Sequence, residues 1–418
     1  MTARKLLTAA VFIGAMLGTM VVYGVSRDFS FFLDDAFDLT RVEASSSWEI
    51  LTRPFPDYGY YRPVTFIIFN ESFELFGEHN TRALRSLLLL IHAFSAGLLY
   101  LLVRRLTGSE WAIAASALFL VFPFSYQTLN IIGAMGHVLV TFFLLAALLL
   151  WVEGRYRARL WLQIGAVLCA VLAGWSMEYG VIAIPLVGAL EVYLRRRMDV
   201  PDRAGLQPLA LLALLGIAQA IYIAIWLNVD CAESPTPAFD DVLRNAALWL
   251  QAMSYPGTRF LNLLHSGPEP LSYLVVAVLS GALILGALLV HAWLDQIRLA
   301  LALLAIAILC FLPSMLMLTH DYVVDSPRLL YVAAPAIVTF WAMLGRALFA
   351  DRLLTIGWQG VCVMFVVVTL IHSVSMIERR IEMFRTSESV VAGIVEIGDE
   401  HHGSPILILN APSWFSFH

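Results

Sequence analysis

Charge is scarce in this chain. Only 14% of its 418 residues are charged, against about 25% in ordinary soluble domains, while 60% are apolar. Lysine is nearly missing, Lys5 being the only one, and no basic tract suggests nucleic acid. Cysteine is also sparse. Three of the four, Cys169, Cys310 and Cys362, lie inside apolar runs and Cys231 stands alone, which excludes a disulfide framework and a cysteine metal site. No internal repeat or low-complexity linker occurs, and the net charge of -5 discriminates little.

What the chain has instead is apolar runs of about 20 residues, the length a helix needs to cross roughly 30 Å of hydrocarbon. Bilayer-facing strands would alternate, and these runs do not. The expected fold is therefore an all-α polytopic membrane protein. The first run, Leu6 to Val25, follows Arg4 and Lys5, is longer than a signal-peptide core and is followed by no A-x-A site, so it reads as an uncleaved anchor. Further spans are expected near 84–103, 111–128, 134–152, 160–176, 180–194, 207–227, 271–293, 299–318, 329–345 and 353–375, about eleven in all.

Arginines place these spans. Arg104/Arg105, Arg155/Arg157/Arg159, Arg195/Arg196/Arg197/Arg203, Arg298 and Arg346/Arg352 all fall with Arg4/Lys5 on one side, which the positive-inside rule makes the cytoplasm. The loops 26–83 and 228–270, "THDYVVDSPR" and a tail from 376 then face outward, as does the C-terminus. A bacterial inner membrane fits this arrangement. Residues 1–375 are read as one membrane domain, and the tail "SPILILNAPSWFSFH" as the start of a truncated one.

Loop 26–83 is too long for a plain connection. Its stretch from Val64 to Phe76 is too short to span, carries Glu71 and Glu74, and is expected as an amphipathic helix on the membrane surface. Earlier in the loop, "FFLDDAFDLT" sets Asp34 and Asp35 beside Phe31, Phe32 and Leu33. Adjacent residues point about 100° apart on a helix and to opposite faces on a strand, so one acid works and the other supports. Partial desolvation would make such a carboxylate a better proton acceptor. The same pair also reads as a helix cap.

Two counter-charges stand at outer turns, Arg328 in "DSPRLLY" and Arg62 in "YYRP". The planar fork of a guanidinium suits phosphate. A carboxylate opposite arginines is what sugar transfer from a lipid phosphate requires: the acid takes the acceptor's proton and the cations hold the departing phosphate. Tyr58, Tyr60, Tyr61 and Trp48 could offer flat faces to a sugar, or serve as interfacial belt residues.

The order "FLDDAF", "YYRPVTF", "HNTRALRSLLLLIHAFSAGLLYLLVRRL", "ALFLVFPFSYQTLNIIGAMGHVLVTFFLLAALLLW", "GWSMEYGVIAIPLV", "FLPSMLML" and "RLLYVAAPA" resembles the GT-C superfamily of polytopic glycosyltransferases. The likeness is to the branch near protein O-mannosyltransferases and the transmembrane and tetratricopeptide-repeat mannosyltransferases. It implies Asp34 as the catalytic base with Asp35 as fallback, Arg328 for the lipid phosphate with Tyr331 beside it, and Arg62 with Tyr61 near the substrate entrance. It also implies site positions at His92 and Glu178, although an intramembrane histidine can equally be a hydrogen-bonded packing residue. Relatives often read Lys-Glu where this chain has Met177-Glu178, and no tetratricopeptide repeats follow. The reaction implied is inverting transfer from a polyprenyl-phosphate-linked sugar to a hydroxyl of a lipid, glycan or protein at the outer face. No cofactor is expected, and a divalent metal is disfavoured although "DDAFD" offers oxygen ligands. The contrasting reading is a transporter or lipid flippase, against which stand the lack of an inverted repeat and the gathering of charge at the outer surface.

Overall fold

The computed structural model describes residues 3–29, 35, 38, 41–42, 45–55, 59–77, 80–108, 110–197, 206–229, 237–255, 269–293, 295–345 and 352–400. Among them every regular element is a helix. The first half comprises α1 (Ala3–Tyr23), α2 (Ser47–Thr52), α3 (Pro63–Phe76), α4 (Thr81–Thr107), α5 (Ala112–Leu120), α6 (Ser125–Asn130), α7 (Met135–Tyr156) and α8 (Leu160–Ser176). There follow α9 (Ala183–Arg197), α10 (Gln207–Trp226), α11 (Phe239–Met253), α12 (Glu269–Trp293), α13 (Ile297–Met317), α14 (His320–Asp325), α15 (Ala334–Leu344) and α16 (Arg352–Glu400).

Among the described residues, six helical segments are long and apolar enough to cross a bilayer: Lys5–Asp28, Thr81–Thr107, Ile132–Tyr156, Gln207–Trp226, Leu274–Trp293 and Ile297–Met317. Leu160–Ser176 and Ala334–Leu344 are shorter apolar helices. The chain is an all-α polytopic membrane protein. Every expected span is helical at its centre, and the differences are one interior break and several shifted ends. Pro123 has no amide hydrogen to give, so the span expected at 111–128 splits into α5 and α6. The spans expected at 180–194 and 329–345 open instead as tight 3-10 turns, Glu178–Ile182 and Pro327–Leu330, before α9 and α15 begin. Those two turns carry Glu178 and Arg328.

The last span, expected to end at 375, continues as α16 to Glu400. Its 49 residues reach about 73 Å at ~1.5 Å each. The segment read above as a tail from 376 therefore starts as helix. Ile377, Ile381 and Phe384 form its buried stripe, with Phe384 stacked 6.4 Å from Phe29 and the Arg380 guanidinium 5.6 Å from the Tyr126 ring. The strand-like stretch at the C-terminus lies outside the described residues.

Helix α3 covers the stretch expected as an amphipathic helix, Val64 to Phe76. Pro63 starts it, with its fixed φ and no wasted donor. Thr65, Phe66, Phe69 and Phe73 are buried while Glu71 and Glu74 face out. Gly77 ends it at φ 94°, a conformation that side chains disfavour.

At one end of the bundle the arginines tie helices together. Arg105 meets Glu153 at 2.9 Å, and Arg155 and Arg195 both meet the buried Glu191, at 3.1 and 2.7 Å. Trp151 donates to the same Glu191 at 3.0 Å, so α4, α7 and α9 converge there. This is the end that the arginine rule expects in the cytoplasm. A reporter fused after Arg197 is expected to read as cytoplasmic and one near Glu233 as external; the reverse pattern would turn the molecule over.

Candidate active site

The opposite end gathers charge from distant segments. Arg62 caps α3 in a non-helical conformation, which Pro63 imposes by disfavouring the helical region for the residue before it. Its guanidinium grips Glu178 with two parallel bonds, Nε to Oε2 at 3.0 Å and Nη2 to Oε1 at 2.6 Å. One turn along α3, the Thr65 hydroxyl donates to the Ser176 carbonyl at 2.7 Å, fastening α3 to the end of α8. The turn carrying Glu178 is held close to α8: a Cβ at Gly180 would fall 2.1 Å from the Ala173 carbonyl, so only glycine fits.

Arg328 sits in the turn Pro327–Leu330. Gln127 clamps that turn, accepting from the Arg328 amide at 3.3 Å and donating to the Asp325 carbonyl at 2.9 Å. The guanidinium reaches the Tyr322 hydroxyl at 3.2 Å, and among the described residues no carboxylate is within ion-pair distance of it. Tyr60 connects the two arginines. Its ring lies 4.2 Å from the Arg62 guanidinium, and the charges of Arg62, Glu178 and Arg328 all act on its hydroxyl, which burial pushes up from its ordinary value.

Asp34 lies outside the described residues, as do Phe31, Phe32, Leu33 and Tyr58. Asp35 is buried. Its Oδ1 accepts the Gly133 amide at 2.7 Å and its Oδ2 lies 3.7 Å from Nη2 of Arg85, both side chains being fully enclosed. Arg85 also donates from Nε to the Phe29 carbonyl at 3.2 Å and from Nη1 to the Asn130 carbonyl. It joins the acidic loop, α4 and the end of α6.

The other expected site residues divide. Tyr61 is buried, donating its hydroxyl to the Leu51 carbonyl and accepting the Tyr222 hydroxyl on its own carbonyl at 2.9 Å, so it is a post in the wall of the site. Trp48 is exposed on α2. His92 and Tyr331 do meet, Nδ1 to hydroxyl at 2.6 Å, inside the bundle. Nε2 of His92 is 3.2 Å from the Leu120 carbonyl, so Nε2 donates there and Nδ1 accepts from Tyr331. Both ring nitrogens are used internally, which is the packing role open to an intramembrane histidine.

Two residues went unread in the sequence. Arg85, a charge one turn inside the apolar run "TRALRSLLLL", carried the signal of an ionisable group at membrane depth. His137, in the first turn of α7, is buried, lies 5.7 Å from the Tyr179 ring and feels the charges of both Arg328 and Arg62. The turn Ile132–Ala134 thus links Asp35, through Gly133, to the arginine cluster.

Residues 57–226 match the family described as dolichyl-phosphate-mannose-protein mannosyltransferase. The match covers less than half of the chain, and over that segment the chain is similar to these membrane mannosyltransferases. The matched segment includes Arg62, Arg85, His92, His137 and Glu178, while Asp34, Asp35 and Arg328 lie outside it. No curated protein matches the chain. Among solved structures it is similar to ArnT from Cupriavidus metallidurans in the apo state, at 15% identity, over 89% of this chain and 78% of that one, with a TM-score of 0.37.

Proposed function

We propose that this protein is a membrane glycosyltransferase that moves a sugar from a polyprenyl-phosphate donor to an acceptor hydroxyl at the outer face, with inversion at the anomeric carbon. The observation that carries this reading is Arg328, a guanidinium held in a clamped turn with no carboxylate of the described residues to neutralise it. Arg62, by contrast, is already offset by Glu178, so an arriving phosphate is drawn to Arg328. Asp34 removes the proton from the acceptor hydroxyl. The oxygen attacks the anomeric carbon from the face opposite the phosphate, the carbon–phosphate-oxygen bond breaks, and the electron pair leaves on polyprenyl phosphate, stabilised by Arg328. Asp35, anchored to Arg85 and Gly133, holds the loop that presents Asp34.

The test is donor binding. Arg328→Lys keeps the charge and loses the fork, so affinity for polyprenyl phosphate is expected to fall severalfold. Arg328→Ala is expected to lose about 10- to 100-fold, the usual worth of hydrogen bonds to a charged group. Parent-like binding by Arg328→Ala would remove the phosphate from this site.

A further inference from the structure

We propose that the imidazole of His137 is a third contact on the phosphate held at Arg328, donating a hydrogen bond to one of its non-bridging oxygens. This rests on the phosphate reading above and adds a residue that the sequence did not single out. His137 lies in the first turn of α7, a helix of 22 residues whose amino-terminal pole favours an anion. The side chain is 3% exposed, and its Nδ1 is buried with no hydrogen-bond partner among the described residues. A buried polar atom without a partner is rare and requires an explanation. The hydroxyl of Tyr179, whose ring lies 5.7 Å away, is turned to Ser314 instead.

Position supports the same assignment. His137 lies at the same end of the bundle as the arginines: its ring is 5.7 Å from that of Tyr179, the residue after Glu178, whose carboxylate Arg62 grips. The backbone there has little room to shift: a Cβ at Gly136 would stand 3.3 Å from the Ser176 carbonyl, so the start of α7 is set against the end of α8 next to Glu178. Met177 and Tyr179 add no charge to that wall. His92 provides the contrast, since both of its nitrogens are occupied within the protein. His137 is built like a ligand-facing group and His92 like a strut.

The experiment uses the full chain in nanodiscs of neutral lipid. Parent, His137→Ala, His137→Gln and Arg328→Ala are titrated with polyprenyl phosphate, with polyprenol lacking the phosphate, and with inorganic phosphate as competitor. His137→Ala is expected to lose about 10- to 100-fold in affinity for polyprenyl phosphate, by the worth of one hydrogen bond to a charged group. The same factor is expected for inorganic phosphate, because the contact is with the phosphate from either source, while polyprenol binding stays put. His137→Gln, which keeps a donor, is expected to recover part of the loss. If Arg328→Ala loses phosphate affinity while His137→Ala keeps it, the phosphate reading stands and the His137 assignment fails. It also fails if His137→Ala weakens polyprenol equally, or if it only lowers the melting temperature with affinity per folded molecule unchanged. Parent-like affinity in Arg328→Ala removes the underlying phosphate reading instead.

Discussion

Asp34→Asn is expected to insert, fold and bind polyprenyl phosphate like the parent while its turnover falls by roughly 10² to 10⁴, the usual worth of a positioned general base. The amide keeps the shape and most of the hydrogen bonding of the acid but cannot accept a proton. Donor binding should be spared because the phosphate is assigned to Arg328, in a turn some three hundred residues away in sequence. Turnover must be measured per folded molecule. Asp35→Asn gives a different signature, because Asp35 is enclosed with Arg85 and accepts the Gly133 amide. Its loss should appear first as a lower melting temperature, with residual activity following the amount of folded protein. Full turnover in Asp34→Asn would take the base away from this position, and a loss of turnover confined to a well-folded Asp35→Asn would move it one residue along.

The bilayer made much of this fold legible. A segment such as Thr81–Thr107 must satisfy its backbone internally and be apolar over about 30 Å, so its existence follows from one run of residues. Where tertiary packing decides, sequence reading lost precision. Pro123 was visible within the span expected at 111–128, yet length alone joined α5 to α6 across it. The extension of α16 past 375 depends on Ile377, Ile381 and Phe384 finding Phe29 and the bundle, which no local pattern reveals.

The site divides in the same way. Arg62 and Arg328 were readable because each stands beside a proline at an outer turn, a local feature of "YYRP" and "DSPR". The grip of Arg62 on Glu178 crosses 116 residues of chain and was not. It gives the negative Glu178 a partner. His92 and His137 look alike in sequence, each a histidine in an apolar run. What separates them is that Tyr331, 239 residues on, reaches His92, whereas Nδ1 of His137 is left without a partner among the described residues.

Arg85→Met is the second substitution with a large expected effect. It leaves the Asp35 carboxylate enclosed without its nearest cation and abandons the Phe29 and Asn130 carbonyls. Breaking one side of a buried ion pair typically costs about 3–5 kcal/mol, since the remaining charge has neither water nor partner. The membrane helices should still insert, because their apolar runs are untouched. What should fail is the registration of the acidic loop against α4 and the turn before α7, seen as a lower melting temperature and faster proteolysis within residues 26–45. The pair is separated from simple packing by a double-mutant cycle. With Asp35→Asn added to Arg85→Met, no charge is left buried, so part of the lost stability should return and the two changes should be non-additive by more than about 1 kcal/mol. Additive losses would mean that the two side chains act independently, and that the 3.7 Å approach of Arg85 to Asp35 does not hold the loop.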